Sequence, residues 1–197
     1  EGEMPTRNGV GLYAKKLMDN FPNLPVEDEG RLEDAHLREN FIQRVFIYSR
    51  WRKMCEERIT ITQLQEFHAT HKYIFMSHNQ TQARELGAIL ANHKGRDVNE
   101  MADEYLGKMM RTLKNIATRK NHVNTLQHIQ GYLKRDLNAD EKEELTGLVA
   151  DYREGLLPLI VPITLLRHHF RKFPNDYITK SYYLSPHPGE LMLLNNI

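Results

Sequence analysis

From Asp34 the chain places Leu37, Phe41, Val45 and Tyr48 at helical spacing, with Ile42, Phe46 and Ile47 widening the apolar face, which predicts a helix over residues 34–53. Thr62 followed by Gln65, Asn79 by Gln82 and Asn138 by Glu141 have the spacing of capping boxes, in which two side chains satisfy free backbone N–H groups at a helix entrance. Three further helix starts are marked. Over residues 98–135 one long helix is conceivable, but the apolar stripe changes phase. Leu106, Met109, Leu113 and Ile116 share one side of the wheel, whereas Leu126, Ile129 and Leu133 fall on another, so a break is predicted near Thr118 to Asn121. An acidic helix follows over 139–154. The next helix, carrying Leu165, Leu166 and Phe170, is expected to begin around Pro162, because proline fits a first turn and costs about 3 kcal/mol deeper inside.

No alternating strand pattern, hairpin signal or fixed-period repeat occurs, so the sequence predicts an all-α bundle of about six to seven helices. Residues 1–33 form an irregular N-terminal segment rich in turn formers, with one short helical candidate from Leu12 to Phe21. Residues 34–58 form a connecting helix, and 59–197 a helical domain. Beyond Pro174 a short helix and an extended tail are expected, with Tyr182 to Leu184 and Leu191 to Leu194 lying across the body.

The 197 residues include 27 Lys+Arg and 26 Asp+Glu, an almost balanced charge that makes its distribution the informative quantity. Between Glu104 and Asp136 there is no acidic residue, while Lys108, Arg111, Lys114, Arg119, Lys120, Lys134 and Arg135 all fall there. Lys108, Arg111, Asn115 and Arg119 make a stripe opposite the apolar face, a pattern suited to phosphate backbone. Asn121, Asn124, His128, Gly131 and Arg135 share a side of the following segment and offer hydrogen-bonding groups for RNA or a phosphorylated ligand. The competing reading is a solvated face whose cations pair with the acidic helix Asp140 to Glu154.

His68, His71 and His78 share a helix side with Leu64, Phe67 and Phe75, so they point toward the core. Metal binding there would need ligands from elsewhere, such as His168 and His169. Imidazoles satisfied by carbonyls or by Tyr and Asn partners are the other possibility. Lys72, at the edge of this face, could reach a phosphate or merely snorkel. Arg167, His168, His169, Arg171 and Lys172 form a second basic cluster near a helix C-terminus, where cations also complement the helix dipole. No nucleophile elbow, P-loop, dinucleotide fingerprint or deaminase zinc signature is present. The single cysteine, Cys55, stands beside Glu56 and Glu57, which oppose thiolate formation. One cysteine can form neither an internal disulfide nor a cysteine-ligated cluster within one copy of the chain, and a reducing, cytoplasmic setting is expected. The longest apolar run, Leu156 to Leu166, is shorter than the roughly 20 residues a membrane span requires, so no membrane partner is expected.

The segments LQEFHATHK (64–72), HVNTLQHIQGY (122–132), PLIVPITLLRHH (158–169) and YLSPHP (183–188) resemble the YbgA-like domain, filed as a domain of unknown function, over about residues 59–197. The preceding GVGLYA (9–14), LPVEDEGR (24–31) and LRENFIQRVF (37–46) resemble the C-terminal end of a thiouracil desulfidase-type domain often fused ahead of it, and the abrupt Glu1 then reads as the start of a fragment. In such two-domain proteins the first domain is implied to hold a four-iron four-sulfur cluster on three cysteines and to remove sulfur from thiolated uracil. The second is implied to bind tRNA. No counterpart of the cluster cysteines lies in this chain, which is expected to hold no cofactor and to be catalytically silent alone. The substrate-holding role carries over, by resemblance, onto His68, His71, Lys72, Arg119, His122, Asn124, His128, Arg167, His168 and His169, while the basic stripe adds Lys108, Arg111, Lys114 and Lys120. Two other classes remain: an interaction domain packing on the desulfidase through Tyr13, Leu17 and Leu24 to Val26, and a small-molecule or metal site among the histidines.

Overall fold

A computed structural model describes residues 11–191 and 193–195. Among them nine α-helices and no strand are found: α1 Leu12–Asn20, α2 Ala35–Met54, α3 Ile61–His78, α4 Gln80–Ala91, α5 Val98–Leu113, α6 Arg119–Gln130, α7 Ala139–Glu154, α8 Ile160–Lys172 and α9 Asp176–Thr179. The all-α class agrees with the sequence pattern; the nine helices exceed the six to seven expected, and α9 is the short helix expected beyond Pro174. The tail is wound rather than extended, with single 3-10 turns at Tyr182–Leu184, Gly189–Leu191 and Leu193–Asn195.

The side chain of Asp34 accepts from the backbone N–H groups of His36 and Leu37 and so starts α2. At α3 the capping box is formed by Thr60 and Gln63, two residues earlier than the Thr62 and Gln65 pair suggests. Asn79 ends α3 and caps α4 through the Gln82 N–H, which separates two helices that share almost no linker. Asn138 and Glu141 form the expected box on α7. That helix ends at Gly155, whose φ of +82° is left-handed, and Leu156 N–H returns to the Asp151 carbonyl. Helix α8 starts at Ile160, so Pro162 is its third residue, still within the turn where a missing N–H costs no helical hydrogen bond.

Helix α3 is the centre of the packing, in contact with α4, α5, α6, α9 and the Tyr182–Leu184 turn, while α6, α7 and α8 pack in succession. Leu64, Ile74, Phe75, Leu86, Tyr105, Met109, Leu126, Leu145 and Leu166 supply the continuous apolar core. By contrast α1 buries none of its residues, and it leaves Leu12 and Tyr13 more than four-fifths exposed.

The break between α5 and α6 is held by polar side chains inside the bundle. Asn40 Nδ2 donates to the carbonyl of Leu113, His78 bonds the Asn115 carbonyl and Gln43, and Asn121 Nδ2 donates to the His78 carbonyl. Burial pulls the His78 pKa down to about 4, so the ring is neutral near pH 7. Both ring nitrogens face an oxygen, the Asn115 carbonyl at Nδ1 and Gln43 Oε1 at Nε2, and a neutral ring donates to one of the two.

Candidate nucleic-acid interface

Helices α3, α4, α6 and α9 enclose a recess of about 620 Å³. Lys72 and His68 enter from α3, Arg84 and Gly87 from α4, and His128 from α6. Tyr73, Tyr132 and Tyr177 form one wall: the Tyr73 hydroxyl donates to that of Tyr132 at 3.1 Å, and the Tyr132 and Tyr177 rings stack with centroids 5.9 Å apart. Burial, and then the hydrogen bond with Tyr132, raises the Tyr73 pKa, so its hydroxyl stays protonated. No carboxylate lines this recess. Cations beside aromatic faces without a competing acid are the combination that binds a base and its phosphate.

His68 adds a directed donor. Its Nδ1 lies 2.9 Å from the hydroxyl of Tyr105, whose partners among the described residues number only this ring. Burial holds Tyr105 well above the usual tyrosine pKa, and burial, then the Lys72 charge, lowers His68 to about 4. With both groups neutral and this ring the hydroxyl's one partner, the arrangement that leaves no buried hydroxyl proton unpaired has Tyr105 donating to Nδ1 and the imidazole proton on Nε2. A Cβ placed on Gly87 would stand 3.4 Å from that Nε2, so it is the glycine that keeps the donor uncovered.

The residues singled out in the sequence divide by environment. Lys72 and His128 meet in the recess. Arg111, Lys114 and Lys120 are exposed cations. Lys108 is paired with Glu85 rather than free, and Arg119, across the helix break from Lys108 and Arg111, donates to the Tyr152 carbonyl and lies over the Tyr152 ring. The stripe is thus cut in two, and neither of these cations pairs with a carboxylate of the acidic helix. His122 is a correction to the expected set: it is buried, bonded at Nδ1 to the Tyr183 hydroxyl, and burial, then the charges of His78 and Arg119, lower its pKa to about 3. His169 is likewise 3% exposed and enclosed, so neither ring can reach a surface ligand. Asn124 is half-buried, and His168 is exposed on α8. Arg167 is half-buried, with Nε donating to the Leu184 carbonyl, in a different recess from Lys72.

His71 donates from Nδ1 to the Phe67 carbonyl and is packed against the Phe67 and Tyr182 rings, so the histidines of α3 are held one by one by protein groups. Among the described residues no three His, Cys, Asp or Glu side chains are grouped to hold a metal. Cys55 ends α2; burial raises its pKa, with Arg52 opposing and Asp103 adding to the effect, so Asp103 is the acid that matters, not the two adjacent glutamates. Sequence reasoning missed Arg84, Gly87, Tyr73 and Tyr177. They lie on three separate helices, and only the fold brings them to one wall.

Together these features define an all-α domain with a cationic, tyrosine-walled recess at its central helix. The chain belongs to the family described as "Protein of unknown function (DUF1722)", whose match covers residues 72–188. It is 26% identical over 151 residues to the uncharacterized protein YbgA of Escherichia coli strain K12, an alignment spanning 76% of this chain and 89% of that one. No solved structure matches it. Among the described residues no helix is long and apolar enough to cross a membrane.

Proposed function

We propose that this domain binds RNA, with tRNA as the substrate class, and holds a thiolated uridine for a desulfidase-type domain ahead of it in sequence, in the cytoplasm. The observation that supports this reading is the meeting of Lys72, Arg84 and His128 with three tyrosines around a recess that no carboxylate lines. At about 620 Å³ it has the size of a small-ligand pocket, enough for a nucleoside. Arg111, Lys114 and Lys120 supply further positive charge for backbone phosphates. The four-iron four-sulfur cluster of the desulfidase reading would have to reside outside this chain, because its lone thiol, Cys55, is partly enclosed at a helix end.

The test is a titration with total tRNA at two salt concentrations, with duplex DNA of equal length as control, for the wild type and for Lys72→Ala/Arg84→Ala. Salt-sensitive binding that prefers tRNA and weakens about tenfold or more in the double variant supports the reading. Equal affinity of the two proteins overturns it. A second reading, packing against an adjoining domain, is favoured by the uncovered Leu12, Tyr13 and Phe21 of α1. It predicts that Tyr13→Ser weakens association with that domain and leaves tRNA affinity unchanged.

A further inference from the structure

A second recess, of about 770 Å³, opens between α8, α9 and the turn that follows α9. Its apolar floor is Phe170, Ile178 and Leu184, and Arg167, Arg171 and Lys180 stand around it. Hydroxyl groups of Thr164, Thr179, Ser181 and Ser185 complete the lining. No carboxylate belongs to this lining, and among the described residues none of the three cations is paired with an acid. Two acids, Glu66 and Asp176, stand close by. They line a neighbouring recess that shares Thr70 and Lys180 with this one.

Arg167 is the most constrained of the three. Its Nε donates to the Leu184 carbonyl, which fixes the guanidinium plane and leaves its terminal nitrogens for another acceptor. Burial lowers its pKa, and no acid acts in the other direction. A guanidinium nevertheless stays charged, so this half-buried cation lacks the counter-ion that such groups ordinarily have.

We propose that this recess is a binding site for a phosphate monoester carried on an apolar or aromatic body, of which a mononucleotide is the type. A monoester carries about −1.5 to −2 charges near pH 7, whereas an internal diester carries one, and three unpaired cations match the former better. The two arginines offer planar forks for phosphate oxygens, the Thr179, Ser181 and Ser185 hydroxyls offer further donors while that of Thr164 is taken by the Ile160 carbonyl, and the apolar floor takes the body of the ligand. The monoester can come from a free nucleotide or from the phosphorylated end of an RNA strand. The site is separate from the tyrosine-walled recess and does not depend on the reading given for it.

The experiment is calorimetric titration of the chain with UMP and AMP against uridine and adenosine, and with a 5′-phosphorylated against a 5′-hydroxyl oligoribonucleotide. The expected result is binding about tenfold or more tighter with the phosphate in at least one of the two arms. Preference in the first arm assigns free nucleotides, and preference in the second an RNA end. In Arg171→Glu/Lys180→Glu, both exposed positions, the preference disappears, while Lys72→Ala/Arg84→Ala retains it. Equal affinity with and without phosphate in both arms overturns the proposal, as does a preference that survives in Arg171→Glu/Lys180→Glu. The circular dichroism spectrum of that variant, unchanged from wild type, separates lost binding from lost folding.

Discussion

Nε2 of His187 lies 3.2 Å from Oε1 of Glu39, with both side chains almost wholly enclosed, so the chain after the last helix is fastened to α2 by a charged pair. The other ring nitrogen faces the Pro188 carbonyl at 3.2 Å. Two acceptors around one ring select the imidazolium. Burial alone pulls the His187 pKa down, but the Glu39 hydrogen bond, the Pro188 carbonyl and the Glu39 charge outweigh it, and the net direction is up from 6.5. A histidine whose folded pKa exceeds its unfolded one stabilises fully below the unfolded value and loses that contribution as pH rises through the folded value. Hydrogen exchange across residues 183–191 should therefore be faster at pH 8.5 than at pH 6, after correction for intrinsic rates. His187→Ala should cost about 3 kcal/mol at pH 6, because it leaves Glu39 buried without its partner. Uniform protection at both pH values would show that the pair does not hold the tail.

The histidines inside the bundle act in the opposite direction. Burial lowers His71 to about 3, with the Phe67 carbonyl opposing it, and lowers His78 to about 4 and His122 to about 3. Below about pH 6.5 the unfolded chain takes up protons at these sites and the folded protein does not, so stability falls as pH drops toward 4. Each group contributes up to about 1.4 kcal/mol per pH unit in that window. Urea denaturation at pH 7, 6 and 5 should show this loss, and His122→Gln should reduce the slope by one proton. A slope unchanged in that variant would mean that His122 is protonated inside the folded protein.

The α5 to α6 phase change was legible, since Thr118 caps α6 within the stretch where the two stripes part. On α2 only the helix was legible and not its inward face: Glu39, Asn40, Gln43, Arg44, Ile47 and Trp51 are buried, while Val45 of the expected apolar face is exposed. Caps are harder, because Thr60 and Thr62 both stand three residues before a glutamine and only the backbone angles at Thr60 decide between them. The inward face of α3 was legible for the same reason as its helix. The recess was not, since Arg84, Tyr132 and Tyr177 have no spacing relation to Lys72 and come together only through tertiary packing. His122 misled for a physical reason: a polar residue on an apolar face can be a core hydrogen-bonder to a hydroxyl such as Tyr183, and its letter does not distinguish the two. The two threonines give a direct check. Thr60→Ala should cost about 1 kcal/mol and Thr62→Ala much less, measured by thermal denaturation.

Tyr132 is 40% exposed and its ring stacks on Tyr177, so its truncation removes little from the core. Tyr132→Ala should lower stability by about 1 kcal/mol, for the stack and for the acceptor of the Tyr73 hydroxyl. If a base stacks in the recess, the same change should weaken RNA binding by about 1–3 kcal/mol. Tyr132→Phe keeps the stack and should keep most of the affinity. Wild-type affinity in Tyr132→Ala would remove the tyrosine wall from the RNA site.

Gly87 separates binding from stability more sharply, because the two effects of filling it have opposite signs. The residue lies inside α4, with no left-handed backbone angle, and glycine there costs about 0.5–1 kcal/mol relative to alanine. The added methyl would meet His68 Nε2 at 3.4 Å, an ordinary contact that needs no rearrangement. Gly87→Ala should therefore raise the melting temperature while covering the N–H that His68 presents to the recess. A loss of RNA affinity in a more stable protein comes from the methyl in the recess, by covering the His68 N–H or by filling ligand space, since unfolding would move both measurements the same way. Higher stability with wild-type affinity would show instead that the His68 donor takes no part in binding, leaving the cations and tyrosines to carry it.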